Sequence, residues 1–270
     1  MFGKYLYRPF VRLMDNDLFE LSGYIAYAAL LSFFPFVIIL MSVANIFGAE
    51  GISAAVLKQV YSFFPAEIAK QIAPVAQQII DSHHGQALTF STLVIIWSAS
   101  TGIEAIRTAL NRVNGAIEQR SFYQRKLQNF FFMLISVIGI IVIGGVMIVL
   151  PIVFEHIADY CPFWLVDLCH LKNFRYPVSL GVIFITFLLM YSQLPYHGRR
   201  LIECIPGALV ASALWLLLAH YFSVYIKNFA AYNILYGSLA GIVVTLIFLH
   251  LSAFVMMYGA ELNESLLSEE

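Results

Sequence analysis

The chain has 270 residues, of which 61% are hydrophobic and 11% are charged, with a formal net charge of −1. Soluble domains carry roughly a quarter charged residues, so this composition excludes an ordinary water-soluble globule and favours a protein that lies in a lipid bilayer. A nearly neutral chain also lacks the clustered basic excess that phosphate binding requires. Nucleic acid is therefore not expected as a partner.

The first segment, residues 1–18, is predicted to form an amphipathic helix. Its apolar residues recur at helical spacing, and its cations lie on another face: Phe2, Leu6, Phe10 and Leu13 against Lys4, Arg8 and Arg12. Such a helix lies along the membrane surface with its cations toward the lipid headgroups; the alternative is a frayed tail. Charged residues interrupt this segment, so no cleaved signal peptide is predicted.

The first membrane span is predicted at about residues 22–46, because the sequence there is apolar for long enough to cross a bilayer. Small residues four apart, Ser22 with Ala26 and Ala28 with Ser32, allow a neighbouring helix to approach closely. The following segment, 48–86, is too polar to span. Its pattern predicts two short amphipathic helices that cap the bundle or lie on the bilayer surface.

Five further apolar runs complete the prediction of an all-α polytopic membrane protein with six transmembrane helices plus amphipathic interfacial helices. The whole chain, 1–270, is predicted to be one transmembrane domain. The five remaining spans are placed at about 87–109, 129–154, 176–194, 203–225 and 234–261. Each run is close to the roughly 20 residues that a helix needs to cross the hydrocarbon core.

The distribution of Lys and Arg predicts the orientation. In a six-span arrangement, ten of these cations fall on the side of the two termini and five fall on the opposite side. Because cytoplasmic connections carry the excess of Lys and Arg, both termini are predicted to be cytoplasmic.

Two cysteines fall in one connection on the predicted outer side. Cys161 and Cys169 would form a disulfide in an oxidising compartment. Two unpaired interfacial cysteines are the equally weighted alternative, since sequence spacing does not supply the geometry of a disulfide. Cys204, at the inner end of the fifth span, is predicted to be a free thiol.

Polar and charged residues gather near the inner ends of three predicted spans. They are Thr101, Glu104, Arg107 and Asn111 of the second span, Arg199, Arg200 and Glu203 around the start of the fifth, and Glu261 and Asn263 at the end of the sixth. Charges inside a span are costly and often functional, so these residues are predicted to converge on a polar cavity. The alternative is interfacial capping, with Glu104 paired to Arg107 and the arginines reaching the headgroups.

Other features favour packing over chemistry. Gly207 with Ala211, and Gly237 with Gly241, are small residues four apart that predict close helix packing in the fifth and sixth spans. His220 and His250 lie inside the same spans and are either proton carriers or, more simply, hydrogen-bonding groups. Asp81, His83 and His84 lack the convergent ligand set of a zinc site. No metal or cofactor is predicted.

Short segments in order along nearly the whole chain resemble a known family. These are Ala26–Pro35, Trp97–Gly102, Ala109–Arg112, Leu194–Pro195, Pro206–Ala208, Tyr236–Leu239 and Gly259–Asn263. They resemble the YihY/BrkB family of bacterial inner-membrane proteins, also described as the UPF0761 group. The resemblance implies a six-span protein of the bacterial inner membrane without an accepted catalytic residue. It also brings a virulence label, a suspected link to envelope lipid export, and the name ribonuclease BN, now regarded as mistaken.

These observations favour a transporter or exporter for a lipid or small amphipathic solute, with membrane lipids as partners. The first alternative is a structural scaffold of the cell envelope that binds through residues 48–86. A ribonuclease is a remote alternative, because hydrolytic nucleases need metal-binding carboxylates and a basic RNA-binding surface. The sequence also lacks a phosphate-binding loop and a nucleophile elbow. No enzymatic activity is therefore predicted.

Overall fold

A computed structural model describes residues 18–46, 97–139, 175–228 and 238–268 of the chain. These ranges contain α-helices and no β-strand, which confirms the all-α class for this part of the molecule. The helices are α1 (Leu18–Ile46), α2 (Thr101–Val113), α3 (helical over residues 122–139), α4 (Arg175–Gln193), α5 (Leu201–Asn228) and α6 (Ser238–Leu267).

Two of the described helices are long and apolar enough to cross a membrane. These stretches are Leu201–Tyr225 of α5 and Gly241–Leu267 of α6. Shorter apolar helical stretches occur at Leu18–Phe33 of α1 and Leu180–Gln193 of α4. The structure thus shows two membrane-spanning candidates by length and composition. The predicted total of six spans goes beyond that finding.

The described helices extend past several predicted span bounds. The helix α1 begins at Leu18, four residues before the predicted start, and α6 continues to Leu267, six residues past the predicted end. The predicted second span is interrupted by a turn at Ser100 and resumes as α2. The third helix begins at 122, seven residues before the predicted start of the third span. Ser121 and Gln124 form a capping box there, because the amide of each residue donates to the side-chain oxygen of the other.

Some predictions fall on other parts of the chain. The segments 1–17 and 48–86, the pair Cys161 and Cys169, and Gly237 lie outside the described residues. Cys204 is described, and it is a buried free thiol.

A glycine ends α2 and redirects the chain toward α3. Gly115 has a φ of 59°, a left-handed conformation that glycine adopts without a steric penalty. The amide of Ala116 donates to the carbonyl oxygen of Asn111 at 2.8 Å, which satisfies a carbonyl group of the last helical turn. The connection that follows is consequently folded back against the end of α2.

The helix α6 is the centre of the described bundle. It packs against α5, α1 and α2, while α4 packs against α5 and α1 packs against α2. The closest crossing joins α5 to α6, where a Cβ atom added to Gly259 would lie 2.7 Å from the carbonyl oxygen of Gly207 and 2.8 Å from Cβ of Ala211. Only residues with small side chains allow two helix backbones to approach so closely.

The crossing of α5 and α6 is also held by polar contacts. The amide of Gly207 donates to Oδ1 of Asn263 at 2.7 Å, and the Asn263 amide group donates to the carbonyl oxygen of Cys204 at 3.4 Å. From α4, the buried Tyr191 hydroxyl donates to the carbonyl oxygen of Met256 at 2.7 Å. These bonds fix three helices in register around a small-residue contact.

Candidate functional site

The candidate site starts from a carboxylate and a guanidinium on one face of α2. Glu104 and Arg107 are three residues apart, a spacing that makes side chains neighbours on a helix. Nη1 of Arg107 donates to Oε2 of Glu104 at 2.9 Å, and the Arg107 side chain is only 1% exposed. A buried guanidinium requires such a partner, because an unpaired charge out of water is costly.

The first turns of α3 supply the remaining partners of Glu104. Nη1 of Arg125 donates to Oε1 of Glu104 at 2.9 Å, and Nδ2 of Asn129 donates to Oε2 at 2.5 Å. Arg125 and Asn129 are four residues apart and thus lie on the same face of α3. Arg107 in turn donates to Oε1 of Gln128 at 3.1 Å. This network joins α2 to α3 through charge-assisted hydrogen bonds.

A second set of bonds ties the α2–α3 connection to the α4–α5 connection. The guanidinium of Arg120 donates to the carbonyl oxygens of Leu194, Pro195 and Tyr196. Nε2 of Gln128 donates to the carbonyl oxygen of Gln193 at 2.6 Å. Five N–H donors in a planar fork make arginine well suited to collecting several carbonyl oxygens. The two connections therefore lie side by side at the same end of the bundle.

Asn111 links both connections to α2. Its Nδ2 donates to Oε2 of Glu118 at 2.9 Å, and its Oδ1 accepts a hydrogen bond from the amide of Tyr196 at 2.7 Å. The Glu118 carboxylate also accepts from the amide of Arg120 at 3.0 Å. Asn111 is buried, so these two bonds satisfy a polar side chain that would otherwise be costly to desolvate.

A pocket of about 550 Å³ lies beside this network, between α1 and α2. Its lining combines apolar, aromatic and charged side chains: Glu20, Leu21, Tyr24, Glu104, Arg107, Thr108, Asn111, Arg112, Ala116, Glu118 and Arg125. The volume falls in the range of about 300–1,000 Å³ that is typical of small-molecule sites. A pocket with both apolar and charged walls suits an amphipathic ligand.

The structure brings together three of the residues predicted to share a cavity. Glu104, Arg107 and Asn111 line the pocket. Thr101 is exposed, and its hydroxyl donates to the carbonyl oxygen of Ser98. The other predicted members, Arg199, Arg200, Glu203, Glu261 and Asn263, do not line this pocket.

Those other members lie where α5 begins and near where α6 ends. Arg199 pairs with Glu264, and the amide of Arg200 donates to Oε2 of Glu203 at 3.3 Å. Glu261 is buried at 2% exposure, and Asn263 bonds to α5 as described above. The sequence predicts a common membrane depth for all these residues, but their positions around the bundle depend on helix contacts that depth does not determine.

Several pocket and network residues carry little site signal in the sequence. Glu20, Tyr24 and Arg112 line the pocket, while Arg120 and Gln128 hold the connections. Arg120 and Arg125 are among the ten cations whose distribution predicts the orientation. The one available signal was the recurrence of polar residues at 125, 128 and 129, which places them on one helical face.

An aromatic and cationic contact lies next to the network. Nζ of Lys126 is 4.4 Å from the centroid of the Trp97 ring, and Trp97 packs on Phe122 at 5.4 Å between ring centroids. Partial burial lowers the pKa of Lys126, while the nearby Glu104 carboxylate opposes that shift. Trp with a neighbouring cation is typical of the membrane–water interface.

The histidines and metal-binding groups add no second site to the described part of the chain. His220 is exposed and contacts the Tyr221 ring edge-on, and His250 contacts Phe19 in the same manner at 4.7 Å. Within the described ranges, no group of three or more His, Cys, Asp or Glu side chains is arranged to hold a metal ion.

Comparisons with known proteins place the chain among bacterial membrane proteins. A family model described as Virulence factor BrkB matches residues 10–270. YfkH of Bacillus subtilis, which is named as ribonuclease-like, is 30% identical over 246 residues that cover 90% of this chain and 87% of YfkH. A UPF0761 membrane protein of Aeromonas salmonicida is 28% identical, over 93% of this chain and 84% of its own length. Another, of Pseudoalteromonas translucida, is 25% identical, over 93% and 82%. No solved structure matches the chain.

Proposed function

This chain belongs to the Virulence factor BrkB family, and we propose that it transports or exports a lipid or a small amphipathic solute. The family resemblance found in the sequence is confirmed by this match and by the UPF0761 relatives, which are named membrane proteins. Together with two helices apolar enough to cross a bilayer, these findings make the chain a membrane protein. The transported class and the topology are our proposal.

The proposed topology has six spans in the bacterial inner membrane, with both termini cytoplasmic. The excess of Lys and Arg supports this orientation. The contact between the α2–α3 and α4–α5 connections through Arg120 and Tyr196 supports the arrangement of the spans and not its direction, because a six-span chain places these two connections on the same side of the membrane. In a variant whose native Cys161, Cys169 and Cys204 are replaced by serine, cysteines introduced at the exposed Gln124 and Ser268 should react with an impermeant maleimide only after the inner membrane is permeabilised. Labelling in intact spheroplasts would contradict the orientation.

The pocket between α1 and α2 is the observation that carries the proposed activity. It offers charged groups for a polar headgroup, while Leu21 and Tyr24 offer apolar surface for the adjoining hydrocarbon. Arg107 and Glu104 are held in place by hydrogen bonds to each other and to side chains of α3. The charged wall is therefore pre-organised before a ligand binds. Pre-organised sites bind more tightly, because less ordering entropy is lost on binding.

The experiment that tests this activity measures lipid movement across vesicles that contain the purified protein. Thr108 lines the pocket, and its hydroxyl donates to the carbonyl oxygen of Glu104 at 2.9 Å. We expect the Thr108→Trp substitution to narrow the pocket and to slow translocation of an acyl-labelled phospholipid severalfold.

The matched control for that variant is Thr186→Trp on α4. Thr186 is also exposed, its hydroxyl makes the same bond to the carbonyl oxygen four residues before it at 2.8 Å, and it does not line the pocket. It should transport at the wild-type rate. The proposed activity would be contradicted if vesicles with the wild-type protein translocated lipid no faster than protein-free vesicles. Equal translocation rates for the two tryptophan variants would also contradict it.

The sequence also allows two other functions, a ribonuclease and a structural scaffold. The name of YfkH suggests a ribonuclease, but the described residues contain no metal-binding group of the kind that such hydrolysis uses, and we propose no enzymatic activity. The scaffold role rests on residues 48–86, which lie outside the described residues. The scaffold would be favoured by two results together. Residues 48–86 would form cross-links to other proteins, and lipid would move no faster in vesicles that contain the wild-type protein than in protein-free vesicles.

A further inference from the structure

We propose that the pocket between α1 and α2 selects a zwitterion that carries a primary ammonium group and a phosphodiester, which is the chemistry of the phosphoethanolamine headgroup. This inference rests on the proposed function, since it names the class of ligand for the same pocket.

The charges that line the pocket balance. Three carboxylates and three guanidinium groups contribute to the lining: Glu20, Glu104 and Glu118 against Arg107, Arg112 and Arg125. A lining without net charge gives no long-range attraction for a ligand of either sign. It instead favours a ligand whose own positive and negative groups meet complementary partners at short range.

Four of these six groups already have partners in the protein. Glu104 accepts from Arg107 and Arg125 at 2.9 Å each, and Glu118 accepts from Asn111. These groups form the fixed wall of the pocket. Recruiting them for a ligand would break charge-assisted bonds that hold α2 to α3.

The two remaining charges are Glu20 on α1 and Arg112 on α2. In the part of the chain that the structure describes, neither side chain forms an ion pair or a hydrogen bond. Both are exposed to the pocket from different helices. The pocket therefore presents one uncommitted anion and one uncommitted cation, which is the complement of a zwitterion.

The chemistry of each group matches one half of the ligand. Arg112 presents a planar guanidinium fork, which binds the two free oxygens of a phosphodiester well. Glu20 accepts hydrogen bonds from a primary ammonium. Tyr24 follows Glu20 by one helical turn and lines the same pocket, so its ring provides a further cation-binding surface beside that carboxylate.

The same zwitterion occurs on a lipid and on a free phosphodiester. Reconstitution of the full chain into phosphatidylcholine vesicles separates these sources. Trace acyl-labelled phosphatidylethanolamine or phosphatidylglycerol reports lipid movement, and glycerophosphoethanolamine serves as a soluble competitor. Competition supports recognition of the headgroup alone, while selective lipid movement without competition supports a lipid-borne headgroup.

We expect wild-type protein to move phosphatidylethanolamine faster than phosphatidylglycerol. Glu20→Gln should reduce that preference by about two- to fivefold, the range that corresponds to a solvent-exposed ion pair, without slowing phosphatidylglycerol. Arg112→Gln should slow both lipids, since both carry the phosphodiester. Arg200→Gln removes an exposed arginine that does not line the pocket and should change neither rate.

The outcomes separate this inference from the proposed function. If wild-type protein moves both lipids at equal rates, or if Glu20→Gln keeps the full preference, the zwitterion proposal is overturned while transport stands. If wild-type protein moves neither lipid, the proposed function itself fails.

Discussion

The contact between Gly207 of α5 and Gly259 of α6 makes a sharp prediction about stability. A Cβ atom at position 207 would meet the backbone carbonyl oxygen of Gly259 and would lie 2.6 Å from Cγ of Asn263. Real Cβ atoms do not approach other heavy atoms so closely. Because the carbonyl oxygen of Gly259 belongs to the backbone and cannot rotate away as a side chain can, the two helices must move apart. Separation of the helices also weakens the 2.7 Å bond from the Gly207 amide to Asn263.

The Gly207→Ala substitution should therefore lower the free energy of unfolding by about 2–4 kcal/mol. Overpacking costs about 1–3 kcal/mol, and the weakened hydrogen bond adds about 0.5–1.5 kcal/mol. Unfolding by sodium dodecyl sulfate in mixed micelles, followed by circular dichroism, measures this difference. The wild-type protein and the variant must be compared at one protein concentration, because any oligomer would make the transition concentration-dependent.

The matched control is Gly181→Ala on α4, where an added Cβ meets no atom within 4 Å. Alanine is favoured over glycine inside a helix by roughly 0.5–1 kcal/mol, so this variant should be as stable as wild type or slightly more stable. Equal stability of the two alanine variants would refute the packing argument, because both make the same chemical change and differ only in their surroundings.

Three further substitutions test the polar network and the helix contacts. Glu104→Gln should lower the free energy of unfolding by about 1–3 kcal/mol, which is less than for a fully buried pair because Glu104 is partly exposed. Unchanged unfolding in detergent would argue against the network. Arg120→Gln should speed hydrogen exchange at the Tyr196 amide, since the connection loses its guanidinium bonds, and wild-type exchange there would show that Arg120 is dispensable. Tyr191→Phe should cost about 0.5–1.5 kcal/mol through loss of the bond to Met256, and equal stability would mean that this bond is energetically neutral.

Local patterns predict the helices well and predict their contacts poorly. The apolar run at 176–194 corresponds to α4, Arg175–Gln193, because length and hydrophobicity together define a helix that can lie in a bilayer. The bond between Glu104 and Arg107 was likewise foreseeable, since a spacing of three residues makes them neighbours on any helix. Both inferences require only the geometry of a single helix.

The rest of the site depends on contacts between distant parts of the chain. Arg120 bonds to Tyr196, 76 residues later, and no periodicity in either segment reveals that pairing. Small residues at Gly207 and Ala211 predict that α5 packs closely, but the partner in the structure is Gly259, outside the GxxxG pattern of the sixth span. Which small residues meet is set by the tilt and register of two helices, and those follow from the whole bundle.

The most direct test of the central claim asks whether the pocket between α1 and α2 contains lipid in the membrane. A photoactivatable phospholipid can be cross-linked to the protein in native membranes, and the modified residues can be identified by mass spectrometry. The account predicts cross-links within Thr101–Val113 and near Tyr24 that decrease in the Thr108→Trp variant and persist in Thr186→Trp. Cross-links confined to the exposed face of α3, or unaffected by Thr108→Trp, would contradict it.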